Sequence, residues 1–179
     1  MRIACLLADE FEDSEYRIPV DHLRSAGHDV VIIGKDRGQR LHGKRGKETV
    51  TADLSIDEVM PEDFGVLFIP GGHSPDNLRA DPRFVDFVAA FDETGKLIAA
   101  VCHGPQLLLS ADRVKGRRMT AWRTVQADLE RAGADVVDEP VVVEGNLLTS
   151  RQPGDLEMFS QAILDRVGRP AVGAAAPPP

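Results

Sequence analysis

Cysteine is scarce in this chain of 179 residues, which holds only Cys5 and Cys102. Two thiols set in or after apolar runs do not make a disulfide framework, and they suit a reducing, cytoplasmic compartment. Basic residues fall short of acidic ones, 21 against 29, for a formal charge of −8. That deficit argues against a nucleic-acid partner, because phosphate neutralisation needs a basic face. Long hydrophobic runs are missing too. Asp9 and Glu10 end the first apolar segment early, and no stretch approaches the roughly 20 residues that span a bilayer. No membrane contact is expected. Neither a Gly-x-Gly-x-x-Gly nor a Gly-x-x-x-x-Gly-Lys pattern occurs, so a nucleotide fold is unsupported. Paired metal-ligand spacings are also wanting, although Cys102, His103, His73 and Asp76 include ligand types. Neither metal nor cofactor is expected.

The composition is that of an ordinary globular protein, with 42% hydrophobic and 28% charged residues. The length suits one domain, read as residues 1–168, followed by an Ala/Pro-rich tail over 169–179. Strand and helix signals alternate along it. Arg2–Ala8, His28–Ile33, Val66–Pro70 and Leu97–Val101 read as core strands, with shorter ones at Thr49–Ala52, Val114–Thr120, Val136-Val137, Val141–Val143 and Leu147–Thr149. Helices are predicted from Asp13 or Ser14 to Gly27, and over Asp81–Thr94, Gly104–Ala111, Thr124–Ala132 and Gly154–Val167. Lys35, Arg37, Arg40, Lys44, Arg45 and Lys47 crowd a Gly-punctuated segment read as a solvated hairpin or loop. The alternation predicts an α/β sandwich with a mostly parallel sheet and helices on both faces. Ligands in such folds bind beyond the carboxyl ends of the strands.

Three segments fall at such ends. The strand Leu97–Val101 runs into Cys102-His103-Gly104-Pro105, and small residues flanking a thiol at a strand-to-helix turn make a nucleophile elbow. Pro105 suits a first helical position, and the N-terminus of the helix behind it favours a thiolate. The acid-rich segment Asp9–Glu15 follows the first strand. Asp13 and Glu15 are accounted for as helix-start acids, leaving Glu10 and Glu12 as equal candidates to govern the proton of the thiol. Pro70-Gly71-Gly72-His73 follows the third strand, where converging backbone N–H groups could form an oxyanion hole with the amide after Cys102. His103 could act as base or acid beside the sulfur if a carboxylate orients it.

Four of these pieces resemble the ThiJ/PfpI superfamily, and most closely its PfpI-type members: Ala8-Asp9-Glu10-Phe11-Glu12-Asp13, Ile69-Pro70-Gly71-Gly72, Ala100-Val101-Cys102-His103-Gly104-Pro105-Gln106 and Thr149-Ser150-Arg151-Gln152-Pro153. The resemblance implies a flavodoxin-like sandwich forming homodimers or hexamers, with the site near a subunit contact. It implies Cys102 as nucleophile, Glu12 hydrogen-bonded to its sulfur, and the amides of Gly72 and His103 as the oxyanion hole. It also implies that His103 pairs with an acid from an adjacent subunit. Asp76 stands at that position, where the pattern has Glu, and Trp122 stands where it has Tyr. Gly71, His73, Trp122 and Arg151 complete the expected pocket. Three functions follow as expectations. The first is a cysteine-dependent, stress-protective enzyme acting on small aldehydes or dicarbonyls, of glyoxalase or deglycase type. The second is an intracellular cysteine peptidase, and the third a redox-sensing or chaperone-like protein that does not catalyse.

Overall fold

The computed structural model describes residues 1–168. The chain opens with β1 (Arg2–Leu6), α1 (Asp13–Ser25) and β2 (Asp29–Gly34). The basic segment then folds as β3 (Arg40–His42) and β4 (Thr49–Thr51), followed by β5 (Leu54–Ser55) and β6 (Val66–Ile69). Next come α2 (Ser74–Arg79), α3 (Pro82–Glu93), β7 (Leu97–Val101) and α4 (Pro105–Ser110). The remainder is β8 (Arg118–Met119), α5 (Arg123–Arg131), β9 (Asp135–Val136), β10 (Val141–Glu144), β11 (Leu147–Ser150) and α6 (Leu156–Val167).

Seven strands form one sheet in the order β10-β11-β7-β6-β1-β2-β5. Every neighbouring pair is parallel except β10 with β11, which share a hairpin. The ribbons β3–β4 and β8–β9 stand apart from it. Period-two alternation divides the strands between two cores. Ala4, Leu6, Leu67, Ile69, Ile98 and Ala100 face α2, α3, α4 and α5. Ile3, Cys5, Val66, Phe68, Ala99 and Val101 face α1 and α6. This is the α/β sandwich expected. Both faces of the central strands are covered, which is why they read as continuous apolar runs rather than alternating ones.

Two differences from the sequence reading concern short elements. Helix α2 has no counterpart among the elements read from the sequence, because its six residues bury only Ser74, Pro75 and Leu78 and show no apolar period. The strand expected over Val114–Thr120 shrinks to Arg118–Met119, since the chain turns where the Arg117 N–H bonds the Val114 carbonyl at 3.1 Å. The Ala/Pro-rich segment 169–179 lies outside the described residues.

Helix α6 closes the second core through Phe159, fully buried with its ring centroid 6.1 Å from that of Phe68. Phe159→Ala should lower unfolding free energy by about 3–5 kcal/mol in urea titrations at unchanged m. A loss below about 1 kcal/mol would mean that α6 can collapse onto the sheet without this ring.

Candidate active site

Cys102 leaves β7 with φ of 60°, a left-handed conformation that a non-glycine residue adopts only when its surroundings enforce it. The surroundings are hydrogen bonds. Its N–H donates to the Ser150 carbonyl at 3.0 Å, and its carbonyl accepts from the Trp122 N–H at 2.9 Å. Immediately after it, the Gly104 N–H returns to the Val101 carbonyl at 2.8 Å and α4 begins at Pro105. The thiol is thereby turned out of the sheet while remaining largely buried. Burial, followed by the neighbouring Glu15 carboxylate, raises the pKa of the Cys102 thiol, and the His103 backbone N–H and the Lys44 charge oppose that rise.

The carboxyl packed beside Cys102 belongs to Glu15, not to Glu12 or Glu10, since a Cβ on Gly71 would meet both the Glu15 carboxyl and the Cys102 Cβ. Glu15 lies in the first turn of α1, is fully buried, and accepts the Gly71 N–H at 2.9 Å. Burial pushes its pKa from 4.5 up to about 8, against the lowering effect of the bond to Cys102. The other carboxyl oxygen, Oε1, is buried with no hydrogen-bond partner among the described residues. Glu15 is therefore held protonated near neutrality, a neutral acid beside the thiol. Glu12 sits before the helix with extended backbone, so its side chain leaves the helix face. It pairs with Lys44 Nζ at 3.2 Å and Arg45 Nε at 2.8 Å. Glu10 is exposed, 3.7 Å from His73 Nδ1. The missed signal was the position of Glu15 four residues before the buried Pro19. This sets an acid on the apolar side of an otherwise regular helix.

The Gly-Gly turn serves that carboxyl. A Cβ on Gly71 would land on Glu15 Oε2 and lie 2.9 Å from Cys102 Cβ. Gly72 has φ of 77°, and a Cβ there would meet the Glu10 carbonyl at 2.5 Å. Its N–H makes no hydrogen bond among the described residues. His103 Nδ1 lies 3.3 Å from Cys102 Sγ, and its ring stacks on Trp122 with centroids 6.3 Å apart. Burial, then the charges of Lys44 and His73, lower the pKa of His103 and favour neutral imidazole. Asp76 does not bond His103 within the chain. It is exposed and held by Arg79 at 2.8 Å. Arg151 is likewise committed, to Asp155 at 3.0 Å and Asp138 at 3.1 Å, so it braces the segment after β11 rather than offering a free cation.

The β3–β4 hairpin also borders the site, a placement the sequence reading missed. The buried Asp13 carboxylate accepts backbone N–H groups of Arg45 at 2.9 Å, Lys47 at 2.8 Å and Glu48 at 2.8 Å. Burial opposes ionisation of Asp13, but these amides prevail and its pKa is lowered. The hairpin is thus pinned to the start of α1, with Lys44 and Arg45 over Glu12. Such a constellation can hold a thiol, a protonated carboxyl and a neutral imidazole around one reacting atom. Gly71→Ala should change the rate of Cys102 alkylation by iodoacetamide by about tenfold or more, since small misplacements of reacting groups are costly. Gly154→Ala, whose Cβ would meet nothing within 4 Å, should not. Equal rates in both variants would show that the carboxyl position does not matter to the thiol.

Comparison with known proteins agrees with this architecture. The profile of the DJ-1/PfpI family matches residues 1–166. The chain is 50% identical over 168 residues to Protein/nucleic acid deglycase 2 of Escherichia coli (strain K12), covering 93% of this chain and 98% of that protein. It is 48% identical over 164 residues to General stress protein 18 of Bacillus subtilis (strain 168), covering 91% and 95%. Among solved structures, it superposes on a two-domain protein from Anabaena variabilis with DJ-1/ThiJ/PfpI-like and ferritin-like domains. The TM-score is 0.92 at 42% identity, covering 97% of this chain and 50% of that one, so this chain spans half of that two-domain length. Drosophila melanogaster DJ-1beta superposes with a TM-score of 0.87 at 28% identity, covering 94% and 91%. With the family profile spanning nearly all the described residues, the chain belongs to the DJ-1/PfpI family.

Proposed function

We propose that this protein is a cysteine-dependent, stress-protective enzyme of deglycase or glyoxalase type, acting on reactive carbonyls and their early adducts. The observation that carries the reading is the fully buried Glu15 carboxyl beside a strained, strand-end cysteine. Two relatives of nearly the same length, one named a deglycase and one a general stress protein, support it. In this reading Cys102 sulfur bonds to the aldehyde carbon of a dicarbonyl, and the carbonyl electron pair moves to oxygen. That oxygen takes the proton released by the thiol, passed through Glu15, and is held by the Gly72 N–H. Neutral His103 then takes the proton from the former aldehyde carbon and returns it to the neighbouring carbon, while the hydroxyl proton passes to the neighbouring oxygen, leaving the thioester of a hydroxy acid. Water hydrolyses the thioester to a hydroxy acid and restores the thiol, so the reaction needs no external oxidant or reductant. A peptidase would instead need His103 backed by a carboxylate. With Asp76 held by Arg79, that carboxylate would have to come from a second copy of the chain.

Methylglyoxal should be converted to lactate in amine-free buffer, and Cys102→Ala should abolish the conversion. Lactate formed equally by both proteins, or by neither, would overturn the reading.

The raised pKa of Glu15 has a second, independent signature. Between 4.5 and about 8 the folded state holds a proton that the unfolded chain releases, so stability contributed by neutral Glu15 is lost as pH rises through that window. His103, with its lowered pKa, acts in the opposite direction below its ordinary 6.5. Melting temperatures across the window should therefore fall less steeply with rising pH in Glu15→Gln than in the unaltered protein. Parallel profiles would mean that Glu15 is ionised in the folded state throughout.

A further inference from the structure

The imidazole of His103 needs something to orient it. Its carbonyl accepts the Gln106 N–H at 3.0 Å, which fixes the backbone but leaves the side-chain torsions free. A histidine that moves protons is ordinarily oriented by a third group, most often a carboxylate. Among the described residues no carboxylate bonds this ring, whose one hydrogen-bonding contact is Nδ1 to Cys102 Sγ at 3.3 Å. The nearby acids are engaged elsewhere. Asp76 is held by Arg79 at 2.8 Å, Glu10 lies 3.7 Å from His73, and Glu12 is taken by Lys44 and Arg45.

The face of the ring is where the contact lies. Trp122 stacks on it with planes 25° apart and centroids separated by 6.3 Å, an offset arrangement within the favoured range for aromatic pairs. The indole is no loose surface ring. It packs against both hydrophobic cores, and the backbone that carries it is bonded on either side. The Trp122 N–H donates to the Cys102 carbonyl at 2.9 Å, and the Trp122 carbonyl accepts from Val125 at 2.8 Å and Gln126 at 3.0 Å as α5 begins. The Gln126 side chain then closes on the Ala121 carbonyl at 3.0 Å and on Asp138 at 3.2 Å. One residue thus braces the elbow through its backbone and meets the imidazole through its side chain. A carboxylate would orient the ring and also favour its imidazolium form, whereas an indole face adds no full negative charge. The neutral ring then carries its proton on Nε2 and keeps the Nδ1 lone pair toward the thiol.

We propose that Trp122 is the positioning residue of His103: its indole, in place of a carboxylate, holds the imidazole plane so that Nδ1 stays on the Cys102 sulfur. What this does for turnover rests on the carbonyl chemistry proposed above, but the orientation is read without turnover. The two ring nitrogens of His103 can be followed by long-range nitrogen–proton correlation and assigned by their loss in His103→Gln. At a pH where the ring is neutral they should give well-separated signals, with Nε2 protonated and Nδ1 bare. In Trp122→Leu the ring is free to flip and exchange tautomers, so the two signals should converge. Trp122→Phe keeps an aromatic face and should keep them apart. Iodoacetamide alkylation of Cys102 should slow about tenfold in Trp122→Leu, where Nδ1 no longer meets the thiol proton, and recover in Trp122→Phe. Asp76→Asn should leave the nitrogen signals unmoved. Separate signals or an unchanged alkylation rate in Trp122→Leu would overturn the assignment. If Asp76→Asn merged the signals while Trp122→Leu did not, a carboxylate from a second copy of the chain would be the orienting group instead. Should Trp122→Leu fail to fold, the unaltered protein still decides. Averaged nitrogen signals there, or no Overhauser contact between indole and imidazole protons, would overturn the role. Converged signals in Trp122→Leu, with no lactate made by the unaltered protein, would overturn the carbonyl reading and leave the positioning role standing.

Discussion

A carboxyl group kept away from water beside a reactive cysteine constrains everything around it. Glu15 is fully buried, and its carboxyl accepts the backbone N–H of a residue that can carry no side chain. An ionised carboxylate in that position would carry an uncompensated desolvation cost, and the folded chain avoids it by holding the proton. Glycine at 71, the entry angle of α1 and the turn after β7 all follow from making room for one neutral acid beside Cys102. The two carboxylates nearest in sequence behave differently because each found its own partners. Asp13 has three backbone amides from the hairpin, and Glu12 has two cations. Three acids within four positions thus acquire three electrostatic environments through local geometry alone.

Much of this architecture was legible in the sequence, for identifiable reasons. Strands buried on both faces write themselves as unbroken apolar runs, and β7 occurs with the bounds its run suggests, Leu97–Val101. The elbow was legible because the chemistry needs small residues around the thiol and a proline that tolerates the first helical turn. The identity of the acid was not. Whether Glu12 or Glu15 reaches the sulfur turns on where the helical phase begins, and Glu12 proves to be the extended residue before it. Helix α2 escaped because six residues are too few to show a period.

The basic hairpin illustrates a different limit. Its charges read as a solvated hairpin or loop, but its docking depends on Asp13 receiving amides more than thirty positions downstream, as in the pairing of Asp13 with Lys47 across 34 positions. Backbone donors carry no side-chain signature, so no residue type in the hairpin announces the contact. Arg151 errs in the opposite sense. A lone arginine after a strand invites a ligand, yet Asp138 and Asp155 already satisfy it. In both cases the partner, rather than the residue, decides the role.

The stacking of Trp122 on His103 makes the indole an internal reporter. The chain has one tryptophan, and its ring lies 6.3 Å from the imidazole that neighbours the reacting sulfur. All intrinsic indole emission therefore originates at the site, with no background from elsewhere in the fold. A charge appearing on that imidazole, or a molecule displacing it from the stack, alters the local field and contact at the excited ring. Occupancy and protonation of this centre can accordingly be followed by light, without a label or a substituted residue.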